Sequence, residues 1–513
     1  MIVIYHKDNK VVNVESEGKS LNFSQKEITL TLFEMADSFP DELLIWCRLD
    51  LQPYLNFSAV SEIFHHYKIM ASFNLSEKTF LSEAVGYVEV TPFVNINKEV
   101  TYPTWQMSGA VGGIYASALL TFKNVITTSD KFDYLLNSLA KLGMPKGLLC
   151  YSEPKLLINT DDRNEISKDN LFSLFRFVKQ HYRTRWTFLL FLNLFLYERK
   201  WAFFPFLFSL FYRKRKLKSN LLTGIKVASK RKVLETGTID VIIPTIGRKE
   251  YLYDVLKDLS IQTHLPKNVI IVEQNTNPNS VSELDYLTNQ SWPFTIKHTF
   301  THQAGACNAR NIALSQVVSE WVFLNDDDNR FESDLIDESL KNCVKFGSKV
   351  ASNSYLKIHE KTKNNNVHQI AIFGSGNSFI SSSLLKKVSF RMGFEFGYGE
   401  DSDFGMQLRN SGEDVLFFPN PEITHLSAPM GGFRTKPVLA WQNEIVQPKP
   451  SPTIMLFNQL HLTTKQINGY KTILFFKFYK VQEVKNPIKY FLKFRDHWGV
   501  SLFWANRLKK IDF

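Results

Sequence analysis

The chain has 513 residues and an ordinary hydrophobic content of 44%, so at roughly 100–200 residues per domain it can bury cores in two to four domains. Its four cysteines, Cys47, Cys150, Cys307 and Cys343, stand far apart with no C-x-x-C pair, which argues against a zinc site or a disulfide scaffold and fits the reducing cytoplasm. The net charge of +11 suits an anionic partner: a nucleotide diphosphate, nucleic acid or an acidic membrane surface.

The N-terminus, MIVIYHKDNK, reads as a strand followed by a charged turn; it lacks the basic start and apolar core of a signal peptide. Residues 1–180 are mixed α/β in texture. Residues 181–235 form an aromatic and basic stretch. Within it, two apolar blocks of about twelve residues each, WTFLLFLNLFLY and WAFFPFLFSLFY, flank Glu198-Arg199-Lys200, against the roughly twenty residues a span requires. The run Arg213, Lys214, Arg215, Lys216 and Lys218 follows at once. Aromatics beside a basic cluster suit a helix lying on an anionic leaflet, or else a buried helical hairpin with a solvated basic end.

Residues 236–435 alternate short apolar runs with helical patterns, which predicts a mixed, mostly parallel sheet covered by helices. Strands are expected at Ile239–Ile243, Val269–Val272 and Trp321–Leu324, and helices at Tyr251–Gln262 and Gly305–Gln316. Ligands of such sheets sit at the carboxyl ends of the strands. Residues 436–513 open on a Pro-containing linker, VQPKPSPT, and continue as an aromatic, basic, helical tail.

The strand at Trp321 runs into Asp326-Asp327-Asp328. Three adjacent carboxylates repel one another unless a cation neutralises them, and Mg²⁺ or Mn²⁺ often bridges such oxygens to a diphosphate. A helix cap with a solvated acidic turn would use the same residues. Glu400-Asp401 follows Tyr398-Gly399; it suits a general base or an acidic helix start. His425 closes VLFFPNPEITH, and Arg434 follows Gly431-Gly432, where it could bind phosphate or order a lid.

Taken in order, these segments resemble the family 2 glycosyltransferases, which are inverting enzymes of the GT-A fold. TIDVIIPTIGRKEYL resembles the family's opening strand and nucleotide-pocket turn, with Pro244, Thr245 and Arg248. NVIIVEQNTN sits where the family has a strand ending in an acid for the base, here Glu273. GACNARNIAL resembles its Ala-Arg-Asn helix, carrying Arg310; WVFLNDDDNRF its metal-site strand; GYGEDSDFGMQLRNSG its acceptor motif; ITHLSAPMGGFR its closing segment. The resemblance implies a catalytic domain over 236–435 that moves a sugar from a nucleotide-diphosphate donor to a glycan or lipid-linked hydroxyl, as in bacterial surface polysaccharide synthesis. It implies Asp401 as base with Glu400 orienting the acceptor. Pro244, Thr245, Arg248, Glu273, Arg310, Asp326 and Asp327 would lie on the nucleotide, and Mn²⁺ or Mg²⁺ on Asp328, Asp326 and His425.

The first half repeats the second weakly. ELLIWCRLD (42–50) resembles EWVFLNDDD (320–328), MSGAVGGIYASALL (107–120) resembles FGSGNSFISSSLL (373–385), and 132–154 resembles 400–421. A degenerate GT-A-like domain over 1–180 is therefore expected. Only Asp50 of the triplet remains there, Lys131-Phe132 with nearby Asp133 replaces the acceptor pair, and the copy should be catalytically dead. It would hold the acceptor, a partner subunit or a homodimer interface.

A sugar-nucleotide-binding protein without turnover is disfavoured by the intact acidic motifs. A nucleotidyltransferase is disfavoured by the glycine-poor turn at Pro244–Arg248, and a nucleic-acid binder by basic residues that gather beside apolar aromatics.

Overall fold

A computed structural model describes residues 1–76, 79–126, 130–158, 170–218, 220–428 and 438–512. By internal packing the chain divides into two units, Met1–Arg231 with Leu462–Lys480, and Lys232–His461 with Val481–Phe513.

The first unit is built on β1 (Ile2–Lys7), β2 (Lys10–Ser16), β3 (Lys19–Ser20), β4 (Leu43–Arg48), β5 (Ile69–Phe73), β6 (Tyr102–Pro103), β7 (Val111–Tyr115) and β8 (Leu149–Ser152). They form one sheet in the order β3-β2-β1-β4-β7-β5-β8-β6. Strand β4 is apolar without alternation, and Leu43 to Cys47 are all buried, as a central strand covered on both faces requires. Part of the tail joins this unit through the helix Thr464–Val481, where Gln466 donates its side-chain amide to the Glu89 and Thr91 carbonyls over 3.1 and 2.8 Å.

The aromatic stretch forms two helices, Arg185–Glu198 and Phe203–Leu210, broken at Arg199 in a left-handed conformation (φ 53°). Among the described residues no helix is long and apolar enough to cross a membrane. Leu190, Leu194 and Phe206 are buried, whereas Trp201, Phe204, Phe208 and Phe211 are 68%, 64%, 58% and 85% exposed. Of the basic run, Arg213, Lys214, Lys216 and Lys218 are not buried, but Arg215 turns inward and meets Asp130 at 2.5 Å.

The second unit contains β9 (Ile239–Thr245), β10 (Asn268–Gln274), β11 (Thr295–Thr301), β12 (Trp321–Asn325), β13 (Asn329–Arg330), β14 (Val350–Lys357), β15 (His368–Gln369), β16 (Asn377–Ser381) and β17 (Leu416–His425). The sheet order is β11-β10-β9-β12-β16-β14-β17-β13, with β15 against β17. The three strands expected from apolar runs are β9, β10 and β12, and the two expected helices are Lys249–Ser260 and Ala306–Leu314. Strands β11, β10, β9 and β12 are parallel, so their carboxyl ends share one edge. The helices Pro452–His461 and Pro487–Asp512 of the tail pack together in this unit.

The two sheets share a six-strand plan. Strands β1, β4, β7, β5, β8 and β6 correspond to β9, β12, β16, β14, β17 and β15 in neighbour order and in direction. The register agrees as well: Leu43 faces Tyr115 as Trp321 faces Ser381, and Met70 faces Ile114 as Val350 faces Ile380. The three sequence matches fall on these shared elements, so the mixed α/β class read for both halves is the class observed. The units differ beyond β1 and β9. Asp8 and Asn9, both at positive φ, turn β1 straight back into an antiparallel hairpin with half-exposed β2. After β9 the chain instead crosses over through the Lys249–Ser260 helix, and β10 lands parallel and fully buried.

Candidate active site

Four parallel strand ends and β17 bring most of the expected residues of the second unit to one edge. A cavity of about 310 Å³ there is lined by Pro244, Thr245, Arg248, Gln274, Arg310, Asp326, Asp327, Asp328, Glu395, Glu400 and His425, among others. Five carboxylates thus face two guanidinium groups in one space. Such an excess raises carboxyl pKa values or calls for a cation.

The three aspartates separate by partner. Asp326 accepts from Arg310 Nη2 on Oδ1 and from the Tyr355 hydroxyl on Oδ2, each at 3.1 Å. Asp327 accepts from the Thr245 hydroxyl at 2.6 Å and from Arg248 Nη1 at 2.5 Å. Burial nevertheless pushes Asp327 up to about 6, against the pull of Arg248. Asp328 accepts from the Ala428 N–H at 2.8 Å and lies 3.3 Å from both His425 Nε2 and Arg248 Nη1. Burial would raise it, but His425 and the Ala428 N–H hold it below the usual aspartate range. The same contact raises His425, whose ring stacks on Tyr355 with centroids 4.8 Å apart.

Asp326 owes its place to a glycine. A Cβ on Gly376 would come within 2.1 Å of Asp326 Oδ2, so no larger residue fits beneath that carboxylate. Arg310 projects from the Ala306–Leu314 helix and is buried, with its Nε lacking a hydrogen-bond partner. Burial opposes its charge, yet Asp326, Asp401 and Glu400 hold its pKa above the usual guanidinium value. The N-terminus of that helix is capped by Glu395, which accepts from the Cys307 and Asn308 N–H groups at 3.1 and 2.8 Å. The close approach requires Gly305, at φ 147°, where a Cβ would lie 2.4 Å from the Glu395 carboxyl carbon.

Glu400 and Asp401 start the helix Glu400–Asn410, behind Gly399 in a left-handed conformation. Glu400 lines the cavity; burial, with Asp401 alongside, raises it to about 7. Asp401 stands behind it, raised by burial, accepting from the Ser375 hydroxyl and N–H, with Oδ1 buried and unpartnered. Glu273 does not line the cavity. It sits one residue before Gln274, on the opposite face of β10, and meets His298 at 2.9 Å. Arg434 lies outside the described residues. Gln274, Tyr355, Ser375 and Glu395 were not read from the sequence, since none belongs to a motif with its own chemical signature.

Residues 240–403 match the family model described as Glycosyl transferase family 2. They form a family 2 glycosyltransferase domain. The family 2 domain contains nearly all of β9, the strands through β16 and the start of the Glu400–Asn410 helix, and hence every expected site residue except His425 and Arg434. Uncharacterized glycosyltransferases are similar to this chain. One from Rickettsia conorii is 28% identical over 149 residues, 29% of this chain and 24% of the relative. One from Haemophilus influenzae is 29% identical over 103 residues, 20% of this chain and 33% of the relative. The chain thus spans about a quarter to a third of the length of these relatives. Among solved structures, residues 1–349 of S. aureus TarS in complex with UDP-GlcNAc are 15% identical with a TM-score of 0.36, over 53% of this chain and 83% of that one. GalNAc-T7 with UDP, GalNAc and Mn²⁺ is 13% identical with a TM-score of 0.31, over 37% of this chain and 44% of that one.

Proposed function

We propose that the second unit is an inverting glycosyltransferase that moves a sugar from a nucleotide-diphosphate donor to a hydroxyl of a glycan or lipid-linked acceptor in bacterial surface polysaccharide synthesis. The observation that carries this reading is the meeting, in one cavity of a family 2 domain, of Arg248, Arg310, the three aspartates and Glu400. Pro244, Thr245 and Gln274 border the donor side, and Glu273 supports that wall through its neighbour. Arg310, with a free buried Nε–H, binds the diphosphate. Asp401 takes the proton of the acceptor hydroxyl while Glu400 orients it. The acceptor oxygen bonds to the anomeric carbon from the face opposite the diphosphate, and the nucleoside diphosphate leaves with the electron pair. Positioning and fixed charge supply most of the acceleration.

The donor set fits a divalent cation. Among the described residues no group of three or more His, Cys, Asp or Glu side chains stands together as a complete metal site. Mg²⁺, however, commonly takes one or two carboxylates and completes its shell with substrate phosphates and water. Asp328 and His425, with Asp326 beside them, would hold Mn²⁺ or Mg²⁺, which when bound neutralises charge on the departing diphosphate.

The aromatic helices of the first unit suit peripheral attachment to the inner face of the cytoplasmic membrane. Exposed Trp201, Phe204, Phe208 and Phe211 would enter the acyl boundary while Arg213, Lys214, Lys216 and Lys218 meet anionic headgroups.

The deciding experiment is a thermal-shift and hydrolysis screen of nucleotides and nucleotide sugars with Mn²⁺ or Mg²⁺. At least one donor should raise Tm and be hydrolysed slowly. Absence of any shift across the panel would sink the transferase reading.

A further inference from the structure

The first unit keeps a cavity where the second has its active site. It measures about 410 Å³ and is lined by His6, Arg48, Gln106, Gly109 and Asp133, among others. Corresponding register places Arg48 at the position of Asp326, Leu49 at that of Asp327 and His6 at that of Pro244. The donor side has therefore been dismantled: two of three aspartates are gone, and Arg48 is turned onto the remaining Asp50 at 2.6 Å.

Of the acceptor side, one aspartate has been kept, with Phe132 where the second unit has Glu400. Asp133, on the first turn of the helix Phe132–Gly143, accepts from the Gly109 N–H at 2.7 Å, as Asp401 accepts from Ser375. Two residues of the cavity wall carry further acceptors without partners. Gln106 is 8% exposed and its Oε1 has no hydrogen-bond partner. His6 is 4% exposed; its Nε2–H donates to the Gly109 carbonyl at 2.8 Å, which leaves Nδ1 a buried, unpartnered lone pair. Buried acceptors without donors are costly until a ligand supplies them. Inorganic phosphate brings at most one or two donors together with negative charge, whereas a polyol brings one donor at every hydroxyl and no charge. The lining charges balance, Arg48 and Lys98 against Asp8 and Asp133, so nothing there selects an anion. Phe80 adds an apolar wall of the kind on which a sugar ring packs. A second cavity of about 360 Å³ shares Thr79, Ile96, Lys98 and Gln106 with the first, which extends the groove beyond one sugar.

We infer that the first unit is a binding module for a neutral oligosaccharide, with Gln106, His6 and Asp133 accepting from its hydroxyls. That such a glycan is also the acceptor rests on the transferase reading; the binding itself does not.

The test is ligand-observed NMR on the full chain with neutral mono- to tetrasaccharides of glucose, galactose and N-acetylglucosamine, with inorganic phosphate and UDP as competitors. At least one saccharide should bind, unaffected by saturating UDP or phosphate. Gln106→Leu should weaken it at least about tenfold, a change of about 1.4 kcal/mol, with Tm unchanged. Should Gln106→Leu not fold, Phe80→Ala serves the same purpose. The inference is overturned if no saccharide in the panel binds, if phosphate displaces it, or if binding survives the first-unit variants and is lost in Asp401→Asn. A nucleotide-induced Tm shift without saccharide binding sinks this inference alone; saccharide binding without that shift sinks the transferase reading alone.

Discussion

Arg248 Nη1 donates to Asp327 Oδ1 over 2.5 Å, and both side chains are largely withdrawn from solvent. Without Arg248, Asp327 would be a buried carboxylate with only Thr245 to support it. Breaking a buried pair from one side costs roughly 3–5 kcal/mol. Arg248→Met should therefore lower unfolding stability by an amount of that order in denaturant titration. In the native protein, burial raises Asp327 from the ordinary 3.8 to about 6, so the folded state holds its proton longer than the unfolded chain. This group's stabilisation is present below about pH 4 and is lost as pH rises toward 6. Arg248→Met should move that loss to higher pH.

Asp401→Asn should abolish transfer, by roughly 10²–10⁴-fold in kcat, while the nucleotide-induced Tm shift persists. Loss of nucleotide binding as well would place Asp401 on the donor. The base must be ionised to act, and burial raises Glu400 beside it to about 7. Burial raises Asp401 as well, so the acidic limb of the rate should lie above the ordinary aspartate range, and Glu400→Gln should shift that limb downward by removing a like charge.

Asp328→Asn replaces with a neutral amide the carboxylate that contacts His425 at 3.3 Å. Nucleotide should raise Tm more with Mn²⁺ than with a chelator in the native protein, and equally under both conditions in the variant. A metal-dependent increment that survives Asp328→Asn would remove Asp328 from the metal site.

Gly376→Ala tests positioning without touching charge. The new Cβ would meet Asp326 Oδ2 at 2.1 Å and displace that carboxylate from Arg310 and Tyr355. A shift of about 1 Å can cost on the order of 100-fold in rate. Turnover should fall by that order while far-ultraviolet circular dichroism stays native.

The aromatic helices should bind vesicles containing phosphatidylserine and not vesicles of phosphatidylcholine alone. Each basic residue near the surface contributes about 1 kcal/mol, so binding should weaken as salt rises. Replacing Trp201, Phe204 and Phe211 together with Ser should release the protein in co-sedimentation. Salt-independent binding to neutral vesicles would exclude the anionic leaflet.

The sequence by itself determined the local elements and their order. Apolar runs without alternation mark β9, β10 and β12 as covered on both faces, and the acids that follow β12 mark a strand end that must manage charge. Periodicity is a property of neighbouring residues, so it survives in one dimension. The internal repeat was legible for the same reason, because Leu43–Arg48 and Trp321–Asn325 keep the same buried pattern. Tertiary structure alone decided the partners. Asp326 meets Tyr355 from 29 residues away, and Asp328 meets the Ala428 N–H from 100 away. The sorting of three like carboxylates, the Glu395 cap on the Arg310 helix, and the turning of Glu273 onto His298 all follow from sheet register and strand faces. So does the first-unit cavity, in which Gly109 and Asp133 meet across 24 residues. Such pairings depend on which strands lie side by side, and no short-range pattern records that.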